Sequence, residues 1–421
     1  MIGNSAVAVG AIEGIRKIDK KNHIVVISDE PYHTYSRPLI SYYLAGKVAE
    51  ENMYYRDRDF YGRNGVKPIL GTGVRSVDFD RKTVVLCDGR EVRYSKLLIA
   101  TGGKPFTSPI ENVYKENVFS FTKLDDVKKI EKAAARGARA VVVGASFSRL
   151  KAVEALVHRG VKVTVIDIMD RIMPRVLDET ASSIVLKTLG ENGVELLLKT
   201  TVERILGDEK AEGVLLSNKA VLACDFAVLA IGTRCNTDLV KGTKIKVNRG
   251  ILVDGMMRTS EPDVYAAGDV AEGYNFIEER SMEIAILPSA YKKGETAGIN
   301  MAGGERIFEK GFIMNSMPFL GLSILSAGLA EQHEGVRVKA LLKEAENTCK
   351  SSYKKFYIKG NRLVGYLLVN GIDRAGIYTD LIRREEDISP FEDSLGGEDF
   401  GLICLPKDAR KVRMLDGLNK E

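Results

Sequence analysis

Two short stretches of the chain decide its fold: Gly3-Asn4-Ser5-Ala6-Val7-Ala8 and Gly144-Ala145-Ser146-Phe147-Ser148-Arg149. Each stands where a Gly-x-Gly-x-x-Gly turn would lie between a strand and a helix. In that turn the first glycine bends the chain, the second lets a pyrophosphate approach the backbone, and the third lets helix and strand pack closely. Each stretch keeps only its first glycine. The pattern predicts two dinucleotide sites, and the substitutions decide whether both still bind.

The residues around the first turn predict an incomplete βαβ unit. Helical spacing of apolar residues follows over 6–17, and an apolar strand follows over 23–27. A βαβ unit also needs a strand before the turn, but only Met1 and Ile2 precede Gly3. We therefore expect the central strand of the first sheet to be missing. A truncated or mis-assigned start is the favoured explanation, and a locally incomplete fold is the alternative.

The second turn lies in a complete unit, with a strand over 140–143, a helix over 150–158 and a strand over 162–166. Antiparallel strands are predicted over 83–86 and 91–93, and a strand-rich tail begins at about residue 310. Alternation of strands and helices favours an α/β fold.

Composition excludes several classes of protein. The chain has 421 residues, 45% hydrophobic and 28% charged, with a net charge of +5 from well-mixed charges. These values predict a globular protein of two or three domains that binds no nucleic acid. No apolar run is long enough to span a membrane, and we expect a cytoplasmic location. The cysteines are widely spaced, which predicts reduced thiols and no metal site: Cys87, Cys224, Cys235, Cys349 and Cys404.

The two turns differ in how severe their substitutions are. Ser5 and Ala8 are small, so the first turn can keep its geometry. Ser146 adds a β-carbon where a pyrophosphate would approach, and Arg149 stands where the helix should pack on the strand. The Arg149 side chain must displace the helix or leave outward. Directed at the phosphates, it would aid binding as a cation; otherwise binding is weakened or lost.

Further motifs occur in a fixed order between and after the two turns. They are the segments 35–46 (Tyr-Ser-Arg-Pro-Leu-Ile-Ser-Tyr-Tyr-Leu-Ala-Gly), 100–103 (Ala-Thr-Gly-Gly), 230–232 (Ala-Ile-Gly) and 263–270 (Asp-Val-Tyr-Ala-Ala-Gly-Asp-Val). With these motifs the whole chain resembles the FAD-dependent pyridine nucleotide–disulfide oxidoreductase superfamily. The resemblance is closest to its branch of NADH:rubredoxin reductases and nitrite-reductase-like proteins.

The resemblance implies an α/β fold with two Rossmann-like three-layer dinucleotide-binding domains, for FAD and NAD, and a C-terminal α+β interface domain. The implied bounds are 1–106 and 236–309 for the FAD-binding domain, 107–235 for the NAD-binding domain and 310–421 for the interface domain. The interface domain suggests a homodimer or a subunit of a larger complex.

The resemblance also implies site residues. For FAD these are Gly3, Ser5 and Ala8 at the pyrophosphate, Glu30 at the adenosine ribose, Arg37, Pro38, Thr101 and Gly102 lining or closing the site, Gly268 and Asp269 at the ribityl or pyrophosphate region, and Leu287 and Pro288 near the isoalloxazine. For NAD they are Gly144, Ser146, Arg149 and Asp167. An acidic Asp167 favours NAD over NADP, whose 2′-phosphate it would repel. No catalytic acid or base and no metal ligand is assigned.

The chemistry follows from an absence in the sequence. Disulfide reductases of this superfamily carry a redox-active cysteine pair near the flavin, whereas this chain reads Ile40-Ser41-Tyr42-Tyr43 there. Relatives often place a lysine near this point, where Tyr42 stands. The first hypothesis is an FAD-dependent NADH oxidoreductase that passes electrons directly to a rubredoxin-like or iron–sulfur protein. The alternative is an FAD-bearing electron-transfer subunit of a larger complex whose NAD site is degenerate.

Overall fold

The computed structural model of the protein describes residues 1–105, 109–229, 232–345 and 351–418, with no side chains described beyond residue 415. The chain forms two compact units, each built from several segments. The first unit comprises Met1–Gly144, Ser148–Ile168 and Thr200–Gly311. The second comprises Ala145–Phe147, Met169–Lys199 and Phe312–Glu421.

The α-helices of the described residues are α1 (Ala6–Ile18), α2 (Ile40–Leu44), α3 (Phe60–Arg63), α4 (Leu124–Ala133), α5 (Phe147–His158), α6 (Glu179–Glu191), α7 (Leu287–Met301), α8 (Ala375–Arg384) and α9 (Lys407–Leu418). None of these helices is long and apolar enough to cross a bilayer.

The strands up to residue 235 are β1 (Ile24–Ile27), β2 (Val66–Ile69), β3 (Val74–Asp78), β4 (Thr83–Leu86), β5 (Glu91–Arg93), β6 (Leu97–Ile99), β7 (Gly103–Pro105), β8 (Val118–Phe119), β9 (Arg139–Val143), β10 (Lys162–Ile166), β11 (Glu195–Leu197), β12 (Val202–Leu206), β13 (Gly213–Leu216), β14 (Val221–Ala223), β15 (Phe226–Leu229) and β16 (Thr233–Cys235). The later strands are β17 (Ile251–Leu252), β18 (Val264–Ala266), β19 (Ala271–Asn275), β20 (Arg280–Glu283), β21 (Met314–Phe319), β22 (Leu322–Gly328), β23 (Val336–Lys343), β24 (Ser352–Lys359) and β25 (Arg362–Val369).

The first parallel sheet has a central position, and Ile2 fills it. Strand β1 pairs with β2 on one side and β6 with β18 on the other. Ile2 forms parallel bridges to both Ile27 and Ile99. Backbone hydrogen bonds complete the join, from Ile2 N–H to Leu98 O (2.9 Å) and from Ala100 N–H to Ile2 O (2.8 Å). No strand precedes Gly3 among the described residues, as the sequence led us to expect, and Ile2 alone bridges the two strand pairs.

Gly3 follows directly and shows why the first glycine of the turn is kept. Its φ is +119°, and a β-carbon there would lie 2.1 Å from the carbonyl oxygen of Ala100. Any other residue would have a strained backbone conformation at this φ, and its side chain would clash with Ala100, which follows β6. Its N–H donates to Ile27 O at 2.8 Å, which ties the turn to β1.

A second parallel sheet in the first unit places β10, β9, β15 and β8 side by side in that order. Its register matches Val143 at the end of β9 with Ile166 on β10 and Leu229 on β15. The carboxyl ends of these strands meet at one edge, where Gly144 and Asp167 follow. The predicted strands and the α/β class are confirmed here.

Helices α1 and α7 of the first unit pack backbone against backbone through four glycines, which we call the glycine seam: Gly10, Gly14, Gly294 and Gly298. A β-carbon on Gly10 would lie 2.2 Å from Tyr291 O, and one on Gly298 would lie 2.2 Å from Ala11 O. The contacts advance along both helices in the same direction, so the helices run parallel. Their amino-terminal turns therefore lie at the same end of the pair.

The second unit contains an antiparallel sheet in the order β21-β22-β25-β24-β23. Helix α8 covers it through an aromatic cluster in which Tyr378 stacks on Phe400 at 5.3 Å between ring centroids and meets Phe356 at 4.9 Å. Asp178, which caps α6, also accepts hydrogen bonds from Tyr353 and Lys355 of β24. The predicted strand-rich tail is confirmed.

The glycine seam yields a stability prediction. The Gly298→Ala variant should lose about 2 kcal/mol or more of stability, because the added methyl meets backbone that cannot move aside. Urea unfolding followed by circular dichroism measures the shift in midpoint. Gly190→Ala on α6 is the matched control, since its β-carbon would meet nothing within 4 Å, and it should gain about 0.5–1 kcal/mol. Equal effects of the two changes would show that the seam is not tightly packed.

Candidate functional site

A cleft of about 810 Å³ opens in the first unit at the carboxyl edge of the first sheet. This is a volume typical of ligand sites, and the carboxyl edge is where α/β sheets bind nucleotides. Most residues assigned to FAD from the sequence line this one cleft: Gly3, Ser5, Glu30, Arg37, Pro38, Thr101, Gly102, Gly268, Asp269 and Leu287.

The amino terminus of α1 faces this cleft with its backbone donors available. Ser5 occupies the N-cap position in an extended conformation, yet its side chain makes no capping hydrogen bond. The first turn of α1 also carries no acidic residue. Uncapped N–H groups at a helix start, together with the helix dipole, favour an anion such as a phosphate. This end of the cleft therefore suits a pyrophosphate.

Glu30 lies just past β1, almost buried at 7% exposure, and already holds two partners. One carboxylate oxygen pairs with the Arg37 guanidinium, and the other accepts a hydrogen bond from the Tyr35 hydroxyl at 2.6 Å. Arg37 also donates to the carbonyl of Thr122 at 2.9 Å. A carboxylate has about four acceptor positions, so Glu30 retains capacity for ribose hydroxyls while its charge is compensated.

Thr101 and Gly102 follow β6 and are hydrogen-bonded to Asn236, which follows β16. The Thr101 hydroxyl donates to Asn236 O at 2.7 Å, and the Asn236 N–H donates to Gly102 O at 2.9 Å. Beyond them β7 and β16 form a short antiparallel pair. Gly102 has a φ of +66°, which favours glycine, and nothing lies within 4 Å of its missing β-carbon. The cleft is thus open at this point.

Gly268 and Asp269 approach α1 closely. A β-carbon on Gly268, whose φ is +82°, would lie 2.6 Å from the Val7 side chain. Burial raises the pKa of the Asp269 carboxyl, and the cations Lys293 and Arg37 oppose that shift. Asp269 therefore meets the cleft as a half-buried carboxyl with positive charge behind it.

Two residues assigned to FAD lie away from the cleft lining. Ala8 is fully buried within α1, so it serves the packing role of the third position of the turn and does not face a pyrophosphate. Pro288, in the first turn of α7, is exposed, while its neighbour Leu287 lines the cleft.

Helix α5 forms in spite of Arg149 in its first turn, and the Arg149 side chain folds back over Gly144. A β-carbon on Gly144 would lie 2.9 Å from both Cδ and Nε of Arg149, and one on Gly232 would lie 3.8 Å from Nη2. Burial lowers the pKa of the Arg149 guanidinium, and Asp167 opposes the shift. Both glycines follow strands of the second sheet, so the guanidinium stands at its carboxyl edge.

The remaining residues assigned to NAD are placed as follows. Asp167 directly follows β10 and is half-buried, and Ser146 precedes α5 and is also half-buried. Of the segment 230–232, Ala230 and Ile231 lie outside the described residues.

Sequence reasoning missed a cation beside Tyr42. The Lys151 ammonium of α5 lies 4.7 Å from the centre of the Tyr42 ring, and Lys151 also pairs with Glu154 one turn later. Both ionic side chains are largely buried, at 15% and 12% exposure. The lysine reaches Tyr42 of α2 from a different helix, α5. The sequence indicates the ion pair of Lys151 with Glu154 through their i, i+3 spacing on one helix, but it gives no sign of the contact with Tyr42.

Comparison with known proteins agrees with this architecture. The family model described as pyridine nucleotide-disulphide oxidoreductase matches residues 1–294, and the model described as rubredoxin NAD+ reductase C-terminal domain matches residues 314–386. A solved NAD-dependent persulfide reductase from A. fulgidus superposes with a TM-score of 0.86 at 27% identity, over 99% of this chain and 83% of that one.

Two curated relatives are each 30% identical over 92% of this chain. One is the nitrite reductase [NAD(P)H] of Bacillus subtilis (strain 168), of which the chain spans about half (47%). The other is the NADH-dependent phenylglyoxylate dehydrogenase subunit epsilon of Aromatoleum evansii, of which it spans 92%.

The family model that matches residues 1–294 leads to one assignment. The chain belongs to the pyridine nucleotide-disulphide oxidoreductase family, whose members are oxidoreductases that use FAD and NAD(P)H.

Proposed function

We propose that this protein is an FAD-dependent NADH oxidoreductase that passes electrons to an external redox protein. The observation that carries the proposal is the cleft that unites the uncapped start of α1, Glu30 and Asp269. FAD bound there would supply the hydride and electron-transfer chemistry between NADH and the acceptor. The protein itself would bind and orient FAD and NADH and exclude water from the site.

Different residues of the chain would contact different parts of FAD. The turn at Gly3 and Ser5 and the first N–H groups of α1 would bind the pyrophosphate, and Glu30 would accept hydrogen bonds from the adenosine ribose. Arg37 and Pro38 would form one wall, and Thr101 and Gly102 would close the site. Gly268 and Asp269 would hold the ribityl region, and Leu287 would lie near the isoalloxazine, with the exposed Pro288 next to it in the chain.

NADH would bind at the carboxyl edge of the second sheet, with Gly144 and Ser146 in the turn and Asp167 at the adenosine ribose. Arg149 would bind the pyrophosphate, since its guanidinium lies against Gly144 in the turn. An acidic ribose partner supports NADH over NADPH. The domain bounds 1–106 with 236–309, 107–235 and 310–421 belong to this proposal.

Electrons would leave the flavin without a redox-active cysteine. The stretch Ile40–Tyr43 holds no thiol. Cys235 makes contact with the Asp269 carbonyl at 2.8 Å, but burial raises the pKa of its thiol to about 12, which disfavours the reactive thiolate. A direct transfer to a rubredoxin-like or iron–sulfur protein is consistent with both observations.

The proposal extends to the protein's cellular location, its redox partner and its assembly. Cys87, Cys224, Cys235 and Cys404 are unpaired thiols, which supports a cytoplasmic location. The match of residues 314–386 to a rubredoxin NAD+ reductase domain supports a redox-protein partner. The likeness to a dehydrogenase subunit supports membership of a larger complex, with a homodimer as the other arrangement.

A second candidate function rests on the same Arg149 geometry. A guanidinium packed against Gly144 would also block the pyrophosphate path, and the chain would then be an FAD-bearing electron-transfer subunit with a degenerate NAD site. In that case the flavin would receive electrons from a partner protein.

The Glu30→Gln variant tests the ribose contact. It should bind FAD about tenfold more weakly, because a charge-assisted hydrogen bond is replaced by a neutral one. Quenching of flavin fluorescence on binding to the flavin-free protein gives the dissociation constant. Asp29→Asn is the comparison, since Asp29 is exposed and paired with Lys123, and it should change affinity less than about twofold. Equal losses in the two variants would remove Glu30 from its proposed role.

Anaerobic stopped-flow mixing with NADH tests the function itself. The FAD-loaded protein should lose its oxidised-flavin absorbance within a single turnover, faster with NADH than with NADPH. The Arg149→Ala variant should need about tenfold more NADH for the same rate, because it lacks the cation at the pyrophosphate. Lys129→Ala, which removes an exposed cation of α4, should match the wild type.

The outcomes separate the two candidate functions. Absence of bleaching at millimolar NADH in the wild type rules out the first function. Strong bleaching only in the Ser146→Gly/Arg149→Gly double variant, which restores the glycines of the turn, establishes the second.

A further inference from the structure

Tyr35 lies between the Glu30 carboxylate of the cleft and the first residue of α4. Only 7% of Tyr35 is exposed. Its hydroxyl donates to Glu30 Oε2 at 2.6 Å and accepts a hydrogen bond from the backbone N–H of Leu124 at 3.2 Å. Leu124 begins α4 and is 2% exposed. The first N–H groups of a helix have no partner within it, so Tyr35 supplies the acceptor that Leu124 needs.

The chemistry of the two partners fixes the direction of both hydrogen bonds. A carboxylate paired with a cation only accepts and a backbone N–H only donates, so the Tyr35 proton must point to Glu30. Burial raises the pKa of the Tyr35 hydroxyl, which therefore remains a donor at neutral pH. Moving either Glu30 or the start of α4 away would leave a buried polar group without its partner, which is costly.

A second link, through Arg37, runs beside the first. The Arg37 guanidinium pairs with the other Glu30 oxygen, donates to Thr122 O at 2.9 Å and lies over the Tyr35 ring, 5.5 Å from its centre. Thr122 precedes Leu124 by two residues, in the connection between β8 and α4. Both oxygens of the Glu30 carboxylate are thus tied to one short segment of the chain.

That segment, residues 120–123, takes part in both of the sites described above. Phe121, Thr122 and Lys123 line the flavin cleft. The segment also follows β8, which runs parallel to β15 and β9, so it lies at the carboxyl edge of the second sheet, as Gly144 does. The two links therefore connect the adenosine end of the cleft to the edge assigned to NADH.

We propose that Tyr35 is a positioning residue that couples occupation of the adenosine end of the flavin site to the docking of α4. The inference rests on the proposed function and refines it. With α4 docked, Tyr35 holds one Glu30 oxygen in place and leaves the remaining acceptor positions to the ribose hydroxyls. Because a coupling free energy is reciprocal, bound FAD in turn holds the start of α4 in place. Loading of FAD thereby orders part of the edge at which NADH would bind.

The Tyr35→Phe variant tests the coupling, because it removes the hydroxyl and keeps the ring. It should bind FAD about tenfold more weakly, since Glu30 loses a charge-assisted hydrogen bond and the buried Leu124 N–H loses its acceptor. Fluorescence quenching on binding to the flavin-free full chain gives the dissociation constant.

Tyr43→Phe is the matched control. It removes a hydroxyl that donates to Glu131 of the same helix at 2.9 Å and has no hydrogen bond to Glu30. Because it acts on a separate contact, it should change FAD affinity less than about twofold. Equal affinities of the Tyr35→Phe and Tyr43→Phe variants would overturn the inference.

A double-variant cycle separates positioning from a merely structural role. Glu30→Ala removes the group that Tyr35 positions, so adding Tyr35→Phe to it should change FAD affinity less than about twofold. A further loss of about tenfold would show that Tyr35 acts on the cleft without Glu30, against the inference.

Amide hydrogen exchange measures the coupling from the side of α4. In the wild type, saturating FAD should slow exchange at residues 124–127 by about the same factor of ten, because coupling is reciprocal. The slowing should be lost in Tyr35→Phe saturated with FAD and kept in Tyr43→Phe. If Tyr35→Phe does not fold, Glu30→Ala saturated with FAD takes its place, with the same loss expected.

The outcomes keep this inference apart from the proposed function. A wild type that binds FAD without slower exchange at residues 124–127 overturns the coupling and leaves the proposed function standing. Equal slowing in the wild type and in the variant also overturns the coupling. A wild type that does not bind FAD overturns both.

Discussion

The close packing of α1 on α7 is the constraint on which the candidate flavin site depends. Four glycines remove the side chains between the two helices, so carbonyl oxygens of one helix lie against α-carbons of the other. The helices run parallel, and both amino-terminal turns therefore open into the same cleft. A single bulky residue in the seam would separate the turn at Ser5 from Leu287 and the segment around Asp269.

Charge compensation is the second organising feature of the cleft. Two of the carboxylates that line the cleft have cations near them: Glu30 pairs with Arg37, and Lys293 and Arg37 favour the charged form of Asp269. An anionic cofactor would be repelled by uncompensated carboxylates, whereas compensated ones act as acceptors for sugar hydroxyls. At the second sheet, the Arg149 guanidinium likewise places a positive charge against the turn at Gly144.

Much of the fold and part of the site could be predicted from sequence. Regular periodicity located α1, β9, β10 and the strand-rich tail, because each buries one face or one run of apolar side chains. The motifs around Arg37, Thr101 and Asp269 were correctly expected to meet, and they line one cleft. The bridging role of Ile2 was not foreseen, because periodicity cannot recognise a single residue that is held by its neighbours' backbones. The glycine seam was also overlooked, although the spacings Gly10–Gly14 and Gly294–Gly298 were its signal.

By itself, the sequence determined the two nucleotide turns, the order of the motifs and the absence of a thiol after Arg37-Pro38. Those features are local, since a turn needs its glycine and a thiolate needs its cysteine within a few residues. Only the tertiary structure decided where long side chains point and what they compensate. Arg149 could have left its helix in any direction, and Lys293 reads as one of two adjacent lysines on an amphipathic helix. Packing against Gly144 and Gly273 directs both side chains, because the free energy of a buried cation depends on neighbours that are distant in the chain.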